Sequence, residues 1–295
     1  MKTTTRRGFL RGSLAAAASF TAPAARGGGE EAAVSGRPPR FTLGLASYTF
    51  REFNLDTALA MARRLGLDRI ALKDVHLPLD SSDEVIRTTV SKIRAAGFAL
   101  YGCGVVYMAN EAEVDRAFAY AKAGGMGVII GVPDHGLLRR AEQRVRESGI
   151  ALAIHNHGPG DLRYPTPASI LDRITGLDPR IGVCLDVGHC LRSGIDPSKA
   201  AAACGRRLLD VHMKDVTAST KDGTSVEVGR GVVDVPQLLR ALIAMDYGGT
   251  AAFEYEKDGQ DPLAGLAESV GYVRGVLADV RMSALGRPRS DGGDP

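Results

Sequence analysis

Imidazole and carboxylate side chains follow several short apolar runs in this sequence. In chain order these residues, with the lysines near them, are Lys73 and His76, His155 and His157, Asp186 and His189, His212 and Lys214, and Glu254. Imidazole and carboxylate together form a ligand set for Mn, Co, Fe, Ni or Zn. Each residue alone has a structural explanation, because a lone histidine often packs in a core and an aspartate after a strand often caps a helix. The coincidence of imidazoles and carboxylates at the last four of these runs predicts a divalent metal site.

The apolar runs belong to a regular alternation that begins near residue 41. Short, almost continuously apolar segments such as FTLGLAS and MGVIIGVP alternate with amphipathic segments such as NLDTALAMARRLG. The first kind is typical of strands covered on both faces, and the second of helices. Eight such units predict a single-domain α/β fold, a closed (β/α)8 TIM barrel. An open doubly wound sheet is the alternative, but no glycine-rich phosphate-binding motif follows the first strand.

In a parallel barrel the functional side chains lie at one end. In TIM barrels the catalytic groups lie at the carboxyl ends of the strands. The ends of the last four predicted strands carry, in order, His155, Asp186, His212 and Glu254. We therefore expect these side chains to meet at one mouth of the barrel.

Three of these strands resemble a known family. The segments VCLDVGH, LLDVHMKD and AAFEYE look like the last three strands of the xylose isomerase-like barrels, the sugar phosphate isomerase/epimerase superfamily. The resemblance covers roughly residues 41–280. Members of this family hold one divalent metal ion with a Glu, an Asp, a His and a Glu on strands five to eight. The resemblance thus implies Asp186, His212 and Glu254 as ligands of Mn, Co, Zn, Fe, Ni or Mg.

The position that departs from the family pattern is residue 155. Where the family commonly has Glu followed by Asn-His, this chain has His155, Asn156 and His157. We expect His155 to replace the carboxylate as a ligand, with His157 as the alternative. The family's epimerases pass a proton between two ligand carboxylates, so the loss of one fits a one-base reaction at least as well.

The function implied by the resemblance is therefore a metal-dependent sugar isomerase or epimerase that removes a proton next to a carbonyl. The alternative is a lyase or hydratase acting on keto-sugars or 3-keto-glycosides. Glu254 is the expected base. Lys73 or His76 is the candidate for a further acid–base group, although Lys73 could instead pair with Asp74.

Other polar residues near the predicted strand ends are candidates for substrate contact. They are His157, His189, Lys214, Arg230 and Tyr48. Arg230 resembles the loop arginine that contacts substrate oxygens in the family. The chain has no Trp, so we expect Tyr48 and Phe50 to supply any apolar wall for a sugar ring.

The first 24 residues read as a leader. Arg6 and Arg7 precede an alanine-rich apolar stretch, and Ala22-Pro23-Ala24 offers a cleavage site. This order is typical of a twin-arginine (Tat) signal peptide and predicts export to the periplasm by the Tat machinery; a disordered basic tail is the alternative. We assign residues 25–40 to a linker, residues 41–280 to the barrel and residues 281–295 to a disordered tail.

The leader also carries much of the positive charge. The whole chain is +3, and residues 1–24 hold four positive and no negative charges, which leaves the mature chain near −1. Nucleic-acid binding needs a basic surface, so a DNA-repair endonuclease, an activity also present in this superfamily, is disfavoured. An exported sugar-binding protein with a structural metal is the third alternative. We expect a small sugar as substrate, no nucleic acid, no membrane insertion, and leave a homo-oligomer open.

The cysteines form no CxxC pair, which argues against a zinc cage. They are Cys103, Cys184, Cys190 and Cys204. Export would permit a disulfide, but Cys184 lies inside an apolar strand, so we expect a buried free thiol there.

Overall fold

The strands form a closed parallel barrel, as the alternating pattern predicts. The structure is a computed structural model that describes residues 39–284, with side chains as far as residue 280. Its strands are β1 (Thr42–Ala46), β2 (Arg69–Leu72), β3 (Ala99–Met108), β4 (Val128–Pro133), β5 (Ala151–His155), β6 (Ile181–Asp186), β7 (Leu208–Met213), β8 (Asp215–Val216), β9 (Ser225–Val226) and β10 (Thr250–Phe253). The strands β1 to β7 and β10 follow one another around the barrel, and β10 pairs with β1 to close it.

Helices separate the strands and cover the outside of the barrel. They are α1 (Leu55–Arg64), α2 (Asp83–Ala95), α3 (Glu111–Gly124), α4 (Leu138–Ser148), α5 (Pro167–Arg173), α6 (Val187–Arg192), α7 (Pro197–Cys204), α8 (Val235–Ala244) and α9 (Leu263–Ala284). Side-chain caps begin several of them, as with Asn54 before α1 and Ser82 before α2. Gly125 and Gly149, both at positive φ, end α3 and α4.

The short helix α6 and the hairpin of β8 and β9 were not predicted from the sequence. The helix α6 follows β6 without a loop, because the Asp186 side chain accepts the His189 N–H at 2.7 Å and caps it. The strands β8 and β9 form a two-residue antiparallel hairpin after β7. Neither is long enough to show a hydrophobic period, which is why the pattern gave no sign of them.

The inside of the barrel is filled, so its free space lies at the mouth. Tyr101, Ile130 and Cys184 pack there among small alanines. A much larger apolar layer lies between the strands and the helices. This packing leaves the carboxyl ends of the strands as the place where polar side chains converge.

Several further expectations can be compared with the described residues. All four cysteines are buried and free. None of the described helices combines the length and apolar character needed to cross a bilayer. The predicted leader and nearly all of the predicted linker lie outside the described residues. The helix α9 runs to Ala284, beyond the boundary at residue 280 where we place the tail.

Candidate metal centre

Four donor side chains converge at the carboxyl ends of β5, β6, β7 and β10. They are His155, Asp186, His212 and Glu254, all buried, and their ligand atoms lie within 4.8 Å of one another. His155 ends β5 and Asp186 ends β6, and Asp186 is paired in register with His212 of β7. The parallel register thus brings together the four residues singled out by their positions in the sequence.

The spacing of the donors fits a small divalent cation. His155 Nε2 lies 3.2 Å from His212 Nδ1 and 3.5 Å from Asp186 Oδ2. Glu254 Oε2 lies 3.2 Å from His212 Nδ1 and 4.0 Å from His155 Nε2. A tetrahedral ion with bonds of about 2.0–2.2 Å separates its ligand atoms by roughly 3.3–3.6 Å, close to these values. Asp186 Oδ2 is buried and accepts no hydrogen bond, although the Lys214 ammonium lies 3.0 Å from it, and the donor set suits a metal ion.

Neighbouring groups fix the orientation of Asp186. Its Oδ1 accepts the His189 N–H in the first turn of α6, and its backbone N–H donates to Asn156 Oδ1 at 2.9 Å. The Asn156 amide in turn donates to the Asp186 carbonyl at 3.1 Å. Asn156 therefore ties the ends of β5 and β6 together and leaves Asp186 Oδ2 directed at the other donors.

Burial and charge set the protonation of the donors. Burial lowers the pKa of His155 to about 4, so its imidazole is neutral at pH 7. Burial opposes ionisation of Glu254, but Lys214 and His212 hold its pKa well below the ordinary value. Burial also opposes protonation of His212, yet the Glu254 carboxylate raises its pKa above the ordinary value. Because a metal-binding nitrogen must be unprotonated, metal binding at this site would oppose protonation of His212.

The ammonium of Lys214 lies among three carboxylates beside the donors. Its Nζ is 3.0 Å from Asp186 Oδ2, 3.0 Å from Glu254 Oε2 and 3.2 Å from Glu256 Oε1. Burial disfavours this charge, but the carboxylates outweigh it and raise the pKa of Lys214 well above its ordinary value. Lys214, a candidate for substrate contact, lies among these carboxylates in the charged floor of the site.

A pocket of about 260 Å³ opens above this floor. It is lined by Tyr48, Lys73, Val105, Tyr107, His155, His157, His189, Glu254 and Glu256. Larger grooves around Arg116 and Arg230 lie elsewhere on the surface and contain none of the histidines. The pocket therefore combines the candidate metal donors with further acid–base groups.

The comparisons with known proteins agree with this architecture. A family model described as xylose isomerase-like TIM barrel matches residues 137–276, which hold all four donors. The chain has the xylose isomerase-like TIM-barrel fold.

Two curated relatives match part of this barrel. The rhizopine catabolism protein MocC of Rhizobium meliloti is 27% identical over 157 residues, 44% of this chain and 48% of that protein. The inosose dehydratase of Lacticaseibacillus casei is 29% identical over 138 residues, 41% of this chain and 45% of that protein. The chain thus spans about half the length of the curated relatives it matches.

Solved structures share the xylose isomerase-like fold over most of the chain. A xylose isomerase domain protein from Alicyclobacillus acidocaldarius has a TM-score of 0.66 and 20% identity, over 83% of this chain and all of that one. An IOLI protein solved with a bound zinc atom has a TM-score of 0.62 and 15% identity, over 84% of this chain and all of that one. At these identities the likeness concerns the fold.

Four of the candidate residues from the sequence line the pocket next to the donors. His157 Nε2 is hydrogen-bonded to Tyr107 Oη at 2.8 Å, and its ring lies beside that of His155, with 4.5 Å between ring centroids. His189 lies nearby, and burial lowers its pKa to about 4. Lys73 Nζ donates to the Val105 carbonyl at 2.6 Å and also lies 3.4 Å from Asp74 Oδ1. Tyr48 forms part of the wall.

Three other candidates do not reach the pocket of this barrel. Both ring nitrogens of His76 are hydrogen-bonded, at 2.9 Å to Ser47 Oγ and at 3.1 Å to the Phe53 carbonyl, so the ring is held inside the loop after β2. Arg230 pairs with Glu268 in a separate groove. Phe50 is fully buried in the apolar core and forms no wall.

Glu256 and Tyr107 line the pocket although we did not propose them as site residues. Glu256 is two residues after Glu254, and burial raises its pKa above the ordinary value. Its place in the strand-end motif EYE is a signal that the sequence offered. Tyr107 reaches the mouth because β3 extends to Met108, further than its apolar run indicates.

Proposed function

We propose that this protein is a divalent-metal-dependent enzyme that removes a proton next to the carbonyl of a sugar or keto-sugar. The observation that carries this proposal is the set of four buried donors at the floor of a pocket lined by acid–base groups. A divalent cation held there would polarise a carbonyl oxygen and make the adjacent proton easier to remove. Three of the four candidate ligands have the residue types of the xylose isomerase-like family. The exception is His155, where the family commonly has Glu.

Within this class the pocket favours elimination of water, or its reverse, over epimerisation. The two carboxylates that line the pocket, Glu254 and Glu256, both follow β10, whereas β5 and the start of α6 contribute imidazoles. Epimerisation needs a base and an acid on opposite faces of one carbon. Elimination needs one base to take the proton and an acid to protonate the departing hydroxyl, a role that suits Lys73. The names of the inosose dehydratase relatives support this choice.

Epimerisation remains the second candidate because of His157. Its imidazole lines the pocket, and burial lowers its pKa, so the neutral ring can accept a proton. In that case a carboxylate after β10 and His157 would exchange the proton from two sides.

The test uses protein loaded with Zn²⁺ or Mn²⁺ and a panel of keto-sugars, keto-inositols and 3-keto-glycosides in D2O. Elimination predicts a dehydrated product by NMR, and Glu254→Gln should reduce solvent exchange at least about 100-fold. Glu268→Gln is the matched control, because Glu268 lines the separate groove that contains Arg230. Clean epimer formation would support the second candidate, and no exchange with any substrate would contradict both.

We also propose that the chain is exported by the Tat route to the periplasm. The support is the order of Arg6 and Arg7, the apolar stretch and the small-residue site before residue 25. A small sugar substrate and the absence of a nucleic-acid partner fit the near-neutral charge of the remaining chain.

A further inference from the structure

Lys214 contacts the same two oxygen atoms that belong to the candidate ligand set. Its Nζ lies 3.0 Å from both Asp186 Oδ2 and Glu254 Oε2. The residue is only 3% exposed. A buried ammonium at this distance neutralises the same two carboxylates that would bind a metal ion.

The two cations therefore oppose each other. In a protein interior, where water screens charge poorly, like charges a few ångströms apart repel strongly. Each carboxylate oxygen must also share its lone pairs between the ammonium and the metal. Simultaneous full binding of both cations to these oxygens is unfavourable.

Glu256 offers the ammonium a second place to bind. Its Oε1 is 3.2 Å from Lys214 Nζ, and it is not one of the four donors. The Glu256 side chain is about a third exposed and lines the pocket. A small movement of the ammonium toward Glu256 would separate it from the donor oxygens and bring it closer to bound substrate.

The stem of Lys214 limits how it can move. A Cβ on Gly188 would lie only 2.8 Å from Lys214 Cγ and 3.0 Å from its Cδ. Because the absence of a side chain at Gly188 lets the stem pack this closely, the inner carbons are held. Movement is confined to the end of the side chain.

We propose that Lys214 competes with the metal ion for Asp186 and Glu254, and that metal binding shifts its ammonium onto Glu256 and toward the pocket. This inference rests on the proposed metal centre. Without metal, the ammonium neutralises carboxylates that would otherwise be buried and unpaired. With metal, it becomes a hydrogen-bond donor that faces the substrate, so Lys214 sets metal affinity and is presented to the substrate only in the loaded protein.

The first test is the affinity for Zn²⁺, measured by calorimetry against a competing chelator. Removing the ammonium in Lys214→Met should tighten Zn²⁺ binding at least about 10-fold, because the repulsion and the competition both disappear. Lys257→Met is the matched control, since Lys257 pairs with Glu227 outside the centre, and it should change the affinity less than about 2-fold. Unchanged or weaker binding by a folded Lys214→Met protein would overturn the proposal.

A second measurement needs no variant and covers the case in which Lys214→Met does not fold. Wild-type protein is treated briefly with an amine-acylating reagent, with and without stoichiometric Zn²⁺, and modified peptides are quantified by mass spectrometry. Lys214 should be protected without Zn²⁺ and react several-fold faster with it, while the exposed Lys92 serves as internal reference. Equal or slower modification of Lys214 in the Zn²⁺-loaded protein would contradict the shift.

The outcomes separate this inference from the proposed function. If wild type binds one Zn²⁺ but neither Lys214 measurement responds, the metal centre stands and the inference fails. If Zn²⁺ binds Lys214→Met but not wild type, the competition is supported. If Zn²⁺ binds neither protein, both the metal centre and the inference are overturned.

Discussion

Glu227 joins two segments at the mouth of the barrel. Replacing it with Gln tests how much its charge contributes to the stability of the fold. It follows the β9 strand, and its Oε1 accepts hydrogen bonds from Tyr255 Oη at 2.9 Å and Lys257 Nζ at 2.9 Å. Tyr255 and Lys257 flank Glu256 in the segment after β10. Glu227→Gln keeps the shape and one acceptor but removes the charge.

The size of the effect follows from the pKa of Glu227, which the hydrogen bond from Lys257 lowers from 4.5 to about 2. The full shift corresponds to about 3 kcal/mol of stability. The Lys257 side chain is 39% exposed, so water screens the pair and we reduce the expectation to about 1–2 kcal/mol. A carboxylate with a lowered folded-state pKa stabilises the fold above its unfolded pKa, near 4.5, and loses this contribution as the pH falls toward 2.

Urea unfolding of wild type and Glu227→Gln between pH 3 and pH 7 measures this difference. The free energy of unfolding of the variant should be about 1–2 kcal/mol lower than that of wild type at pH 7. This gap between the two proteins should narrow steadily below pH 4.5. Glu268→Gln is the control, because Glu268 forms an exposed ion pair with Arg230 and should show a gap below about 0.5 kcal/mol. A gap for Glu227→Gln that stays constant with pH would refute the electrostatic explanation.

Three further changes test the site and the leader. Asp186→Asn keeps the oxygen that caps α6 but loses the donor charge, so circular dichroism should be unchanged while Zn²⁺ affinity falls at least about 100-fold; retained affinity would remove Asp186 from the ligand set. His155→Glu should keep metal and fold but lose the native reaction and gain weak epimerisation, and NMR product analysis that finds unchanged elimination would contradict the one-base mechanism. Arg6→Lys combined with Arg7→Lys should trap the precursor in the cytoplasm, and cell fractionation that finds normal export would refute the Tat hypothesis.

The sequence alone predicted the barrel and the four residues that meet at its mouth. Strands buried on both faces must be apolar, so a polar residue that ends such a run stands out, as His155 and Asp186 do. In a parallel barrel the strand ends meet at one mouth, so residues far apart in the chain are predicted to be neighbours. The register that pairs Asp186 with His212 agrees with this reasoning.

Only the tertiary structure decided which nearby polar residues face the pocket. Lys73 and His76 follow the same strand, yet Lys73 lines the pocket and His76 is turned to Ser47 and the Phe53 carbonyl. Likewise, Lys214 lies in the charged floor, while Arg230 lies in another groove. Strand ends follow from local periodicity, but the direction of a side chain in a loop depends on hydrogen bonds and charges supplied by distant segments, which no local pattern records.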